Sequence, residues 1–283
     1  MKSIPNKVAS RLAAGIKKFQ PILADAKNRD CNEADTVDIV KDILSETFGY
    51  DKFREITSEH AIKGTYCDLA IKLNDNTKPC LLIEGKAVDV ELKENQINQA
   101  VFYGVKEGVK WIILTNGLRW QVYKIIFGQP INQELVLEFE FLKLNHKVSS
   151  DLQSLYLITK EGNLRCCLED YDAHQQALNR FSLAATILTK PVREIIRREL
   201  RRVSPNAKIT IEEIESALRK DVLKGEVVDD HAPKVLEAQK KLAKAQNKAA
   251  KKTARADDSS TPILASGSPF AENSAPVPEQ PPV

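Results

Sequence analysis

The stretch Leu81-Leu82-Ile83-Glu84-Gly85-Lys86-Ala87 decides how this chain is read. Three apolar residues run straight into an acid, a glycine and a base. An apolar run of this length suits a buried strand. Side chains alternate across a strand, so Glu84 and Lys86 are expected on one face. A carboxylate that ends a buried strand is costly to desolvate unless something pairs with it. A plain surface ion pair between Glu84 and Lys86 would contribute little, and it explains poorly why both sit on so apolar a strand.

The flanking segments give these residues company. Tyr66 to Leu73 alternates Cys67, Leu69, Ile71 and Leu73 against Asp68, Ala70 and Lys72, the pattern of a strand. The turn Asn74-Asp75-Asn76-Thr77 joins it to the Glu84 strand as a hairpin, and pairing the two can bring Asp68 beside Glu84. Two carboxylates that close repel each other unless a cation lies between them. Hard oxygen ligands of this kind suit Mg²⁺ or Mn²⁺. Lys86 is then placed to orient or activate a water and to neutralise developing charge. After the strand, a helix from about Glu91 to Glu107 carries Ile97, Ala100, Val101, Gly104 and Val105 on one face. Gln99 and Tyr103, one turn apart, flank that face and reach the rim of the same site.

Further out, Val8, Leu12, Ile16, Phe19 and Leu23 predict an amphipathic first helix, with Pro21 as a candidate interruption. A second helix runs from Asn32 to Phe48 and stops at Gly49, with Val37, Val40 and Leu44 inward and Glu33 one turn before them on the same stripe. Glu33 is also an acid at a helix start, where it would be favoured anyway. Strands are expected at Phe53–Glu59, Trp111–Leu114 and Trp120–Ile126, the last two joined by the Asn116-Gly117 turn, with a further strand at Leu135–Leu144. The fold class is therefore α/β, a mixed α+β sheet in the order αβββαββ. Beyond it, helices are expected over Asp172–Arg202, broken near Pro191, and over Thr210–Leu223 and Lys234–Arg255.

Together, Asp68, Glu84-Gly85-Lys86 and Gln99-x-x-x-Tyr103 resemble the PD-(D/E)xK nuclease superfamily. Asn32-Glu33-Ala34-Asp35-Thr36, Phe48-Gly49-Tyr50, Leu82 to Ala87 and Leu114 to Gly117 through Tyr123 are similar to the N-terminal nuclease domain of type I restriction enzyme R subunits. The resemblance covers about residues 30–127. It implies a restriction-endonuclease-like core and Mg²⁺-dependent (or Mn²⁺-dependent) cleavage of DNA phosphodiesters, within restriction-modification and phage defence. It implies catalytic positions at Asp68, Glu84 and Lys86, helix-motif positions at Gln99 and Tyr103, and support of the metal held by Asp68 and Glu84 from Glu33. Cys67 stands where the superfamily often has proline. Gly85-Lys86 does not close a phosphate loop, because Cys80 and Ala87 occupy the positions where GxxxxGK[ST] needs Gly and Ser or Thr. No ATP site and no motor are therefore expected, which leaves room for protein partners that supply specificity or translocation. A second reading keeps the fold without catalysis, as a nucleic-acid- or partner-binding protein.

Composition bounds these readings. The chain has 283 residues, 42% hydrophobic and 29% charged, enough to bury a substantial core. No apolar run approaches membrane length and no signal sequence is evident, so a cytoplasmic, non-membrane protein is expected. The five scattered cysteines, Cys31, Cys67, Cys80, Cys166 and Cys167, suit neither a disulfide framework nor a Cys-type zinc site. His60, His146, His174 and His231 lack ligand spacing, and Trp111 and Trp120 are expected in the core. Charge is unevenly spread: residues 191–255 carry 17 basic and 10 acidic groups, against 18 and 23 in residues 31–190. Arg193, Arg197, Arg198, Arg201 and Arg202 form the candidate nucleic-acid patch, although Glu194 and Glu199 sit where they can pair with these arginines along one helix. The domain expectation is a nuclease-like domain over 1–145, a helical accessory region over 146–230, and a basic helix with a disordered Pro/Ser-rich tail over 231–283.

Overall fold

A computed structural model describes residues 3–62, 65–73 and 78–257. The turn expected at Asn74–Thr77 and the Pro/Ser-rich tail from Ser259 lie outside the described residues. The contacts of the chain divide it into two units, Met1–Gln176 and Ala177–Val283.

The first unit opens with α1 (Asn6–Asn28). Its predicted stripe, Val8, Leu12, Ile16, Phe19 and Leu23, is buried throughout and joins the main core. Pro21 lies inside this helix without ending it. A proline there removes one backbone hydrogen bond, but it faces outward, and the buried stripe on the opposite side holds the helix together. α2 (Glu33–Asp42) starts at Asn32, whose side chain accepts the N–H of Asp35 at 2.9 Å. It continues through a wider π-type turn at Ile43–Thr47 and stops at Gly49, whose φ of 82° favours glycine.

Six strands follow: β1 (Ile56–Ile62), β2 (Thr65–Ile71), β3 (Leu81–Gly85), β4 (Trp111–Thr115), β5 (Arg119–Ile126) and β6 (Asn132–Glu140). They form one sheet in sequence order, β1-β2-β3-β4-β5-β6. β3 and β4 run parallel because α3 (Glu94–Glu107) carries the chain back between them, and the other neighbours are antiparallel. The sheet and the surrounding helices give the mixed α/β class that the sequence predicts. The expected first strand begins three residues late. Asp51 accepts the N–H groups of Phe53 and Arg54 at 2.9 Å each, which turns the chain and leaves Phe53 92% exposed.

The sheet has different company on its two faces. Leu69, Ile71, Leu81, Ile83, Trp111, Ile113, Trp120 and Val122 pack with α1 and α2. Trp120 is fully buried, stacked on Phe139 at 6.0 Å and edge-on to Phe48 at 5.4 Å. On the other face Leu82, Cys67 and Ala70 meet Tyr103, while Ile112, Leu114 and Ile125 meet Ile97, Ala100 and Val101 of α3. Two helices that no helical spacing announces, α4 (Ser149–Tyr156) and α5 (Lys160–Leu164), follow β6 in the same unit. Their consecutive apolar run Leu155 to Ile158 is buried, and Tyr50 donates its hydroxyl to the Ile158 carbonyl at 2.9 Å. In α6 (Cys167–Leu178), Glu169 accepts from Trp111 Nε1 at 2.7 Å and Asp172 pairs with Lys124 at 2.5 Å.

The second unit is helical: α7 (Arg180–Ile187), α8 (Lys190–Val203), α9 (Ile211–Ala217), α10 (Gly225–Val228) and α11 (Pro233–Asp257). The break expected near Pro191 falls just before it, and the proline occupies the first turn of α8, where its missing N–H costs nothing. Thr210 and Glu213 cap α9 reciprocally. The described core is small: Ala184, Ile214, Val227, Val235 and Ala238. Among the described residues no helix is long and apolar enough to cross a membrane.

One clamp ties the first unit together. Arg11 on α1 holds both carboxylate oxygens of Glu161 on α5, at 2.8 and 2.6 Å, and reaches the carbonyls of Thr47 and Phe48 at 3.1 and 3.3 Å. Its guanidinium lies against Gly49, where an added Cβ would come within 2.5 Å of it. A lysine cannot reproduce this planar fork. Arg11→Lys is expected to cost about 1–3 kcal/mol of stability, read as a lower urea midpoint with an unchanged m-value.

Candidate functional site

The hairpin register explains how the site is assembled. β2 and β3 pair as Ile71 with Leu81, Ala70 with Leu82 and Leu69 with Ile83. The next position along each strand is Asp68 and Glu84. Asp68 accepts the Gly85 backbone N–H on Oδ2 at 2.7 Å, so the acid is fastened to the very end of β3. On the far side, the Lys86 N–H donates to the Thr115 carbonyl at 2.8 Å and prolongs the parallel pairing with β4. The centre therefore sits at the carboxyl end of β3, beside its parallel neighbour.

Gly85 makes this packing possible. A Cβ on it would lie 2.5 Å from Cγ2 of Val37 on α2. The glycine is needed for the close approach of helix to strand rather than for an unusual dihedral. That approach also brings the start of α2, with Glu33, over the end of β3.

The electrostatics are dominated by burial. Glu84 is 2% exposed. Lys86 Nζ donates to its Oε1 at 3.0 Å, while Oε2 is buried with no hydrogen-bond partner among the described residues. Burial, together with the nearby Asp68 charge, pushes the Glu84 carboxyl up to about 7, against the opposing pull of Lys86. Burial likewise raises Asp68, although the Gly85 N–H and Lys86 oppose it. Lys86 is raised as well. Burial alone would lower it, but Glu84, Glu33 and Asp68 surround it and hold the ammonium above its ordinary range. Glu33 is half-exposed and touches the centre only through Lys86 Nζ, at 3.4 Å. It keeps the angular position of Val37 and Val40, as the sequence suggests, but as the first residue of α2 it lies past the packed part of that stripe and is exposed.

Gln99 Nε2 donates to the Tyr103 hydroxyl at 2.8 Å. Tyr103 is buried against Cys67, Ala70 and Leu82, so its ring lies beneath the strands that carry Asp68 and Glu84. Cys67 is no ligand candidate: its Sγ lies 3.3 Å from the Ile83 carbonyl, and burial pushes its thiol up to about 12. Among the described residues no group of three or more His, Cys, Asp or Glu is arranged to hold a metal ion. The donors that fit a hard cation are thus the pair Asp68 and Glu84, with the orphaned Glu84 Oε2 as the feature that asks for one.

Two contributors went unread in the sequence. Glu59, which the β1–β2 register leaves opposite Asp68, has a φ of 48° and adds to the repulsion felt by that acid. No sequence signal announces a left-handed glutamate. Asn116 spends its side-chain amide on the carbonyls of Val88 and Val90, at 3.2 and 2.9 Å, and its Oδ1 on the N–H groups of Leu118 and Arg119. It fixes the segment leaving the centre to the β4–β5 turn, a role that its reading as a turn residue does not include.

The five arginines lie in the second unit, on α8. Arg193 is largely buried and paired with Glu215 of α9. Glu199 holds Arg202 through both oxygens, at 2.9 and 2.8 Å, and Arg198 at 3.4 Å. Arg201 donates to the Ile209 carbonyl at 3.2 Å. The pairing expected for Glu199 is present.

The fit between Gly85 and Val37 can be tested directly. Gly85→Ala is expected to cost about 1–3 kcal/mol through overpacking. Val37→Ala in the same chain should recover most of that loss, which a double-mutant cycle of urea unfolding measures.

Comparison with curated proteins and with solved structures gives no significant match. Residues 39–137, which carry Asp68, Glu84, Lys86, Gln99 and Tyr103 but not Glu33, match the family model of the type I restriction enzyme R protein N terminus, in agreement with the resemblance read from the sequence.

Proposed function

We propose that this protein is a metal-dependent nuclease that hydrolyses DNA phosphodiester bonds. The observation that carries the reading is the buried Glu84, with one oxygen on Lys86 and the other unpartnered, placed in register with Asp68. A protein does not keep two carboxylates and a lysine at the end of an apolar strand for stability, since a hydrophobic replacement would serve the fold as well or better. The match of residues 39–137 to the restriction-enzyme R protein N terminus supports the same conclusion.

Asp68 and Glu84 would hold Mg²⁺ or Mn²⁺, with Glu33 supporting from the rim. A divalent cation there supplies a water of lowered pKa and offsets charge on the phosphate. The remaining work belongs to the chain. Lys86, kept protonated by the acids around it, donates to the attacking water or to a phosphate oxygen and holds positive charge where negative charge develops. The Gly85 N–H fixes Asp68, so the acid does not reorganise as substrate arrives. Tyr103 braces the underside of β2 and β3, and Gln99, itself exposed, holds the Tyr103 hydroxyl in place. DNA is the substrate and partner in this reading, and protein partners would supply any sequence specificity.

Cleavage of single- and double-stranded DNA in Mg²⁺, Mn²⁺ or EDTA tests it. Wild type should cut only with metal, and Glu84→Ala or Lys86→Ala should lose about 10²-fold or more. Metal-dependent cutting that survives Glu84→Ala would refute the assignment. A second readout does not depend on turnover. Saturating Mg²⁺, at about 100 times its dissociation constant, should stabilise the wild-type fold by about 2.7 kcal/mol. Asp68→Asn should abolish this gain.

A further inference from the structure

We propose that the basic face of α8, on which Arg201 is exposed and Arg197 half-buried, is a docking surface for the phosphate backbone of DNA, centred on Arg197 and Arg201. The choice of DNA as occupant rests on the nuclease reading; the surface itself rests on the helix.

At 100° per residue, Lys190, Glu194, Arg197 and Arg201 fall along one stripe of α8, with Arg198 beside it. Lys190 to Arg201 spans about 16 Å of helix at 1.5 Å per residue. That is long enough to meet several phosphates of one strand, spaced about 3.4 Å along the duplex axis. What the side chains are bound to matters more than their number. Arg193 is committed to Glu215 and leaves the patch. Arg198 and Arg202 share one carboxylate, Glu199. Arg197 has no hydrogen-bond or ion-pair partner among the described residues, and Arg201 touches only the Ile209 carbonyl, so both keep their full charge. The face therefore carries a net positive stripe whose two central guanidiniums lack a carboxylate. Fixed cations of this kind, on a regular helix, bind phosphate by displacing its counterions.

An anionic membrane is the obvious competitor, since Ile195 and Val203 are 49% and 83% exposed on the opposite side of α8. Glu199 argues against it. By helical spacing it falls in the middle of that apolar arc, between Ile195 and Val203, where insertion into lipid would bury a carboxylate together with the two arginines holding it. α9 also packs on α8 through the Arg193–Glu215 pair. DNA contact along the Lys190–Arg201 stripe needs neither of these to change.

The test is fluorescence anisotropy of a labelled DNA duplex with the full chain in EDTA, where cleavage is off. Arg197→Gln/Arg201→Gln should weaken binding about tenfold at low salt and reduce the salt slope, d log K/d log[salt], by about 2. A charge-matched control, Lys18→Gln/Lys143→Gln in the first unit, should change affinity less than twofold. Unaltered binding by the arginine variant, equal loss in the control, or no DNA binding by wild type would overturn the inference. So would phosphatidylserine vesicle binding that the arginine variant loses while DNA binding stays intact. Far-UV circular dichroism checks that the variants keep their helices. If DNA binding depends on these arginines but metal gives no cleavage, the nuclease reading falls and this one stands. If Glu84-dependent cleavage is present but duplex binding ignores the arginines, the reverse holds.

Discussion

A carboxylate buried at the end of β3 is the constraint from which the rest of the site follows. Glu84 is 2% exposed and has one unpartnered oxygen. Such a group survives in a folded chain only with a positive charge beside it or with a raised pKa, and here it has both, through Lys86 and through burial. Lys86 in turn needs its acids. Without them, burial would lower it and the centre would lose its fixed cation. The arrangement is self-consistent, and the desolvation it costs is the ground on which the proposed function rests.

The sheet topology determines where such a centre can form. An antiparallel hairpin places Asp68 next to Glu84, and a parallel crossover through α3 leaves the carboxyl ends of β3 and β4 side by side. In open sheets with helical crossovers, the crevice beyond the strand carboxyl ends is where ligands have access. The chain leaving β3 is then held clear of that opening, because Asn116 takes the carbonyls of Val88 and Val90. Gly85 permits α2 to approach closely enough for Glu33 to reach Lys86 from above. Hairpin, crossover, turn and helix each contribute one restraint to the same few atoms.

Much of this was legible in the sequence, for physical reasons that differ from residue to residue. The α1 stripe was readable because an amphipathic helix repeats its signal over about four turns, and one internal proline cannot erase it. β2 and β3 were readable because alternation and a turn cluster fix a hairpin, and the hairpin fixes Asp68 against Glu84. The start of β1 was not, because Asp51 captures two backbone N–H groups and Phe53 looks like a strand residue while standing in solvent. α4 and α5 went unread because Leu155 to Ile158 is a continuous apolar run with no helical period. Glu33 shows the limit of a helical stripe: it shares the angular position of Val37 and Val40, yet as the first residue of α2 it has no packing over it and stays exposed. Sequence pattern carries which elements form; how far their ends are covered is set by tertiary packing.

The same chain uses positive charge in two physical regimes. In the first unit, Lys86 is enclosed, and its side chain, 13% exposed, is held by two carboxylates, so its position is fixed and its interactions are little screened. On α8 the pairs of Glu199 are open to water, with Arg198 and Arg202 62% and 68% exposed. Exposed pairs of this kind contribute little to stability and are weakened by salt. Glu199 therefore restrains Arg198 and Arg202 only lightly. A charge that serves chemistry must be immobile before substrate arrives, and burial holds Lys86 that way, whereas Arg198 and Arg202 stay open to water.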